Sequence, residues 1–333
     1  MTPVATPVAV RAITWDAALQ KMLACTAGDA QSLSVLARIP SPLAPSTGSG
    51  PAVQVHSVHR RAVNLRVGDG LVAIVSAALD DAPATIRVPV EDWTALQVQQ
   101  GDSASIGPDG FRIETVNGPI AVLTSSAAAW TPAEICLCTL SPAQLRHAED
   151  RIAAVPAPSA QTAFGAAAAA LLAERVHALE EALRHGDPSA ITETAARLLG
   201  LGEGLTPSGD DVLTGLAFLS AQHGTRLHGA LASLTAALDD GESRTTLLSV
   251  VTVRHALQAR APQGLHDLIQ AIRDGDGVRI DAAALHVAGI GHTSGTDILT
   301  GVRLALRTEA ALRSAPISVP ATPTSGTVQK EHA

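Results

Sequence analysis

The chain has 333 residues and a formal net charge of −8, with 46% hydrophobic residues, 2% aromatic residues and no tyrosine. That length buries a large core, in two domains or in one domain with a sizeable lobe, and the core must be built from Ala, Leu, Val and Ile. The acidic balance and the lack of aromatic platforms exclude general nucleic-acid binding.

Arginine carries nearly all the positive charge, because Lys21 and Lys330 are the only lysines. Three cysteines, Cys25, Cys136 and Cys138, make no disulfide framework. The Cys136-Leu137-Cys138 pair lacks a second pair to complete a metal site and reads as small buried hydrophobes. No basic segment leads into an apolar run at the N-terminus, and the Ala-rich stretch 164–172 is too short to span a bilayer. A reducing cytoplasmic location without membrane association is expected.

In chain order, residues 12–37 have helical spacing, and 39–51 (IPSPLAPSTGSGP) form a linker or mobile loop. Residues 1–51 are therefore expected as a helical segment plus linker. From 52 the period changes to two, with alternation at 53–58, 62–67 and 85–88. Gly68-Asp69-Gly70 and Pro108-Asp109-Gly110 are the turn signals between such runs. Residues 52–140 thus read as a mostly antiparallel β domain. Apolar residues then recur every three or four positions in 142–154, 160–185, 188–199, 211–222, 227–238, 245–259, 265–272 and 296–313. The predicted fold class is α+β, with an all-helical domain over 141–313 and a Pro/Thr/Ser-rich disordered tail over 314–333.

The helical part contains one pattern twice. Residues 202–215 read GEGLTPSGDDVLTG and residues 289–301 read GIGHTSGTDILTG, so without Pro207 they share G-x-G-x-T-S-G-x-D-[VI]-L-T-G. Gly204 and Gly291 are 87 positions apart, too far for a solenoid period, so the pattern predicts two related half-sites in one domain. Each copy is a glycine-rich loop entering a helix. Ser208 with Asp211, and Ser294 with Asp297, are spaced as an N-cap and a first-turn acid. Helix-start amides are unpaired and carry the positive end of the dipole, and glycine lets a ligand approach the backbone. Two such ends suit one anion with two acidic groups, or two anions side by side.

The anion-binding candidates are Gly204, Thr206, Ser208 and Gly209 in the first copy, and Thr293, Ser294, Gly295 and Asp297 in the second. Asp210 has no counterpart, Thr296 standing in its place, and is left free as a general base or magnesium ligand. Its neighbour Asp211 points about 100° away on a helix and serves the helix end, and it stands with Asp210 and His292 as a catalytic candidate. His292 replaces Leu205 and is placed to donate to an oxyanion or move a proton. Arg244 and Thr245 open the helix between the copies, where an arginine is set to meet an external anion.

Other signatures fail. Gly200–Gly204 lacks the G-K-[ST] of a phosphate-binding loop and follows a helix rather than a strand, which also removes a dinucleotide fingerprint. Asp274-Gly275-Asp276-Gly277 lacks the later ligands of a calcium loop and reads as a polar turn. His56 and His59 point to opposite strand faces.

The two motif copies resemble the AllH-like subunit family of oxamate carbamoyltransferase, with His56-Ser57-Val58, Ala62-Val63-Asn64-Leu65 and Thr245-Thr246 extending the similarity over residues 50–313. The resemblance implies an enzyme subunit of allantoin and purine-nitrogen catabolism. It exchanges a carbamoyl group between carbamoyl phosphate and oxamate, beside larger partner subunits. On that reading the helix ends cradle the two small anions, His292 donates to the carbamoyl oxygen or shuttles a proton, and Asp210 orients the amide nucleophile or a magnesium ion. A non-catalytic metabolite-binding or assembly subunit, and a stand-alone ureido-acid transferase or hydrolase, are the alternatives.

Overall fold

A computed structural model of the chain describes residues 8–24, 53–156 and 163–315. The linker at 39–51 lies outside these residues, as does the expected tail from 316 onward.

The N-terminal part is one ten-stranded sheet: β1 (Val8–Arg11), β2 (Thr14–Asp16), β3 (Val53–His59), β4 (Ala62–Val67), β5 (Gly70–Ser76), β6 (Thr85–Val88), β7 (Ser103–Gly107), β8 (Gly110–Thr115), β9 (Gly118–Leu123) and β10 (Ala128–Trp130). The strand order is β1-β9-β8-β7-β3-β4-β5-β6-β2-β10. Three pairs are parallel, β1 with β9, β5 with β6 and β2 with β10, and the remainder are antiparallel. Only Ala12 and Ile13 separate β1, on one edge, from β2, next to the other edge. Two residues reach no further than about 10 Å between their flanking strands. The sheet must therefore curl until its edges nearly meet. Val55, Leu65, Ile74, Ile86, Trp93 and Ile113 fill the curl, each at most 1% exposed.

Nine helices follow among the described residues: α2 (Pro142–Ala153), α3 (Ala163–His185), α4 (Pro188–Ala196), α5 (Ser208–Ser220), α6 (Leu231–Gly241), α7 (Leu247–Leu257), α8 (Gln263–Asp274), α9 (Gly277–Ala288) and α10 (Ser294–Ser314). A short α1 (Gln20–Ala24) lies on the sheet. The starts obey local chemistry. Ser141 and Gln144 form a reciprocal capping box before Pro142. Asp187 and Asp276 cap α4 and α9, and Gly275 closes α8 with a positive φ of 70°.

The sequence reading differs at three places. Residues 8–11 and 14–16, expected within a helical segment, form β1 and β2, because short strands bonded to β9, β6 and β10 follow their neighbours rather than their propensity. Helix α9 was not expected. Its inward residues Ile280, Ala284 and Val287 have helical spacing, but exposed Val278 and Leu285 blur the pattern. The segment 227–238 is a 3-10 turn (Arg226–Ala230) followed by α6.

Sheet and helices are joined by polar contacts around buried Asp16, which accepts from the Ala18 and Ala84 amides and from Arg260 at 2.6 Å. Trp130 Nε1 donates to Gln263 Oε1 at 2.7 Å, and the Gly264 amide and His286 both meet Asp80.

The centre of the helical part is α5, buried from Gly209 to Ser220. It crosses α10, and both crossing residues are the last glycines of the two motif copies. A Cβ on Gly215 would stand 2.0 Å from the Ile298 carbonyl oxygen, and one on Gly301 would stand 2.0 Å from that of Val212. No side chain fits between the two backbones. Gly215→Ala or Gly301→Ala is accordingly expected to cost about 3 kcal/mol or more in chemical denaturation, at the upper end of overpacking effects. Gly229→Ala, whose Cβ meets nothing within 4 Å, should stay within about 0.5 kcal/mol.

Candidate functional site

The crossing brings the starts of α5 and α10 together, so the two glycine-rich loops lie side by side. Thr206 Oγ1 and Ser294 Oγ, one from each copy, are 3.0 Å apart. Each loop is seated by a glycine on the preceding backbone: a Cβ on Gly209 would stand 2.0 Å from the oxygen of Leu198, just past α4, and one on Gly295 would stand 1.9 Å from the oxygen of Val287 in α9. Amides turned inward complete the seats, Gly209 N–H to Leu201 O at 2.8 Å and Gly295 N–H to Ile290 O at 2.9 Å. The first loop is also tied to α7, since the Thr246 hydroxyl donates to Leu205 O at 2.8 Å.

Ser208 and Ser294 are not the N-caps. Pro207 and Thr293 take those positions, and neither uses a side chain to cap. The serines stand one residue inside, where their hydroxyls turn across the crossing to the other copy. Ser294, with Thr206, lies beside Asp211, while Ser208, with Thr293, lies beside Asp297, and these hydroxyls favour the anionic form of each acid. The copies therefore exchange partners, serine of one against aspartate of the other.

Burial dominates both acids. Asp211 is 3% exposed, and desolvation pushes its pKa up to about 7, aided by the charges of Asp297 and Asp210 and opposed by the two hydroxyls. Desolvation also raises Asp297. The Oδ2 atom of each is buried without a hydrogen-bond partner. Around them the loop backbone is open. Gly202 and Gly204 have φ of 121° and 99°, Gly291 has 63°, and the amides of Gly204, Leu205, Gly291 and His292 donate to no acceptor among the described residues. Successive free amides beside positive-φ glycines are backbone groups that can donate to an anion.

The remaining candidates are placed differently from expectation. Asp210 is not free: at 1% exposed it accepts from the Gly200 amide at 2.9 Å through Oδ1 and from the Thr245 hydroxyl through Oδ2. Both carboxylate oxygens are used inside the protein, which fits neither a general base nor a magnesium ligand. It clamps the end of α4 to the approach to α7, where a Cβ on Gly200 would meet the Arg244 carbonyl oxygen at 2.1 Å. Thr245 thus belongs to this clamp. Arg244 ends a 3-10 turn (Glu242–Arg244) rather than opening a helix, and Thr246 caps α7. Arg244 and His292 are exposed, and neither makes an ion pair or side-chain hydrogen bond among the described residues. No group of three or more His, Cys, Asp or Glu that could hold a metal occurs among the described residues.

The sequence did not reveal the Gly200–Asp210–Thr245 clamp or the exchange of partners between copies. The first had a signal, the roughly 100° divergence of adjacent Asp210 and Asp211, which sends one carboxylate away from the loops. Two clefts lie elsewhere. One of about 360 Å³, lined by Asp16, His223 and Arg260, sits at the C-terminal end of α5, about 20 Å from the loops by the helix rise. Another, of about 370 Å³, lies between α8 and α9 beside Arg279 and His286.

Family comparisons cover both parts of the chain. The model described as oxamate carbamoyltransferase subunit AllH matches residues 198–306, which hold both loops and their helices. The model described as AllH family N-terminal domain matches residues 26–129. No solved structure matches.

Asp210 and Asp211 should respond oppositely to substitution. Asp210→Ala strands an amide and a hydroxyl and is expected to cost about 2 kcal/mol in urea unfolding. An acid whose folded pKa is raised stabilises the fold fully below its unfolded value of 3.8, and that contribution is lost as pH climbs toward 7. Asp211→Asn should remove the decline, so variant and wild type diverge between pH 4 and 7 by up to about 4 kcal/mol. Parallel curves across that range would show that Asp211 titrates normally.

Proposed function

The chain belongs to the AllH oxamate carbamoyltransferase subunit family, and from that premise we propose that the paired loops bind the small anions of carbamoyl transfer between carbamoyl phosphate and oxamate. The observation that carries the reading is the convergence of two helix starts, with free amides, on buried Asp211. One loop receives the phosphate and the other the oxamate carboxylate, each on backbone N–H groups and serine hydroxyls. The amide nitrogen of oxamate attacks the carbamoyl carbon, the bond from that carbon to the phosphate oxygen breaks, and phosphate leaves with the electron pair. The proton lost by the nitrogen passes through the Ser294 and Thr206 hydroxyls to Asp211. A pKa of about 7 gives Asp211 both the acceptor and the donor form near neutrality, so it serves transfer in either direction. His292, on the open side of the second loop, donates to the carbamoyl oxygen. On this reading the protein acts in oxalurate breakdown within allantoin catabolism.

A second reading, a metabolite-binding or assembly subunit, is favoured by the exposure of the loops, which neither cleft includes. Both readings need the larger partner subunits, to close the site in the first and to carry the chemistry in the second.

In the assembled complex, Asp211→Asn should lower kcat by at least about 100-fold and abolish the pH limb near 7. Ser208→Ala and His292→Ala should each cost about tenfold. Steady-state carbamoyl transfer with all three variants, beside Gly229→Ala, decides between the readings. Wild-type turnover in every variant assigns the chemistry to another subunit.

A further inference from the structure

The segment from β10 to α2 carries Cys136 and Cys138 on the surface, contrary to their reading as buried hydrophobes. Its side chains alternate inward and outward: Ile135, Leu137 and Leu140 are buried, while both cysteines are exposed. Alternation puts residues two apart on one face, so the thiols emerge together. Here they do more than share a face, since Sγ of Cys136 and Sγ of Cys138 are 2.6 Å apart.

The backbone beneath them is held from both sides. The Leu137 amide donates to His223 O at 2.8 Å, and the Arg313 guanidinium donates to the carbonyls of Leu137, Leu140 and Gly224. Arg313 is itself fixed by Glu309 at 2.6 Å, whose carboxylate is fully buried. Gly224, with φ of 80°, packs on Cys138 so closely that a Cβ there would meet its backbone nitrogen at 2.7 Å. The backbone that carries both thiols is thus fixed at the junction of sheet and helices.

We propose that Cys136 and Cys138 form a dithiol site that exchanges with low-molecular-weight disulfides of the glutathione type. Cys136 is the attacking thiol: its sulfur accepts from the Cys138 backbone amide at 3.4 Å, and that bond, with the nearby Arg313 charge, favours its thiolate. The Cys136 thiolate attacks one sulfur of glutathione disulfide, the disulfide bond breaks, and one glutathione thiolate leaves. Cys138 then loses its proton and attacks Cys136 Sγ, expelling the second glutathione. The protein dithiol loses two protons and two electrons, and the oxidant takes up both to become two thiols. The new bond needs the sulfurs to close by about half an ångström, to the usual 2.05 Å. The product is a small ring on the segment joining sheet to helices, at the edge of the cleft lined by Ile135 and His223.

The test is mass spectrometry of the full chain after equilibration with glutathione disulfide, alkylation and tryptic digestion. Peptide 113–146 contains both residues and excludes Cys25. It is expected unalkylated and two hydrogens lighter, and dithiothreitol should restore two alkylations. Cys138→Ser should stop at one glutathione on Cys136, forming about tenfold faster than the adduct on Cys138 in Cys136→Ser. A wild-type peptide that takes two alkyl groups or two glutathiones, or equal rates in the two variants, overturns the proposal.

Discussion

Where α5 crosses α10, Gly215 and Gly301 each let the other helix's backbone occupy the place of a side chain. The rest of the helical part depends on this contact. A helix can be buried along its whole length only if neighbours cover every face, and α5 is covered from Gly209 to Ser220. The crossing also brings two helix starts to one point, which two well-capped but separate helices would not do. Each L-T-G in the repeated motif is therefore a packing element, and the loop that precedes it is placed by that packing.

Bringing two positive helix ends together is unfavourable unless negative charge lies between them, and Asp211 and Asp297 occupy that position. Burial acts against them. Desolvation outweighs the hydroxyls and raises both acids, in Asp211 to about 7. The outcome is a carboxyl group that is half protonated near neutrality, next to free amides that favour anions. An always-ionised carboxylate there would disfavour any anion at the free amides, and a proton on Asp211 removes that repulsion.

Much of the fold was legible because the signals were periodic and local. Alternation over 53–58 and 62–67 marked β3 and β4, and three- and four-residue spacing marked most helices. The reading failed where structure is imposed from outside the segment. Strand β2 is set by β6 and β10, and α9 is helical despite exposed Val278 and Leu285. At the site, the doubled glycine-rich loop was visible from identity between copies. That Asp210 is engaged by Gly200 and Thr245 was not, because that depends on what stands opposite it.

By itself, the sequence determined that two related loop-to-helix units lie in a helical region behind a β-rich one, with hydroxyls and acids at both helix starts. Its motif also carried the family resemblance. Only the tertiary structure decided that Asp210 is consumed by Gly200 and Thr245, that Ser208 and Ser294 face the opposite copy rather than cap their own helices, and that Asp211 is desolvated. The physical reason is the same in each case. Hydrogen-bond partners and burial are properties of residues that meet across long stretches of chain, and no spacing within one motif records them.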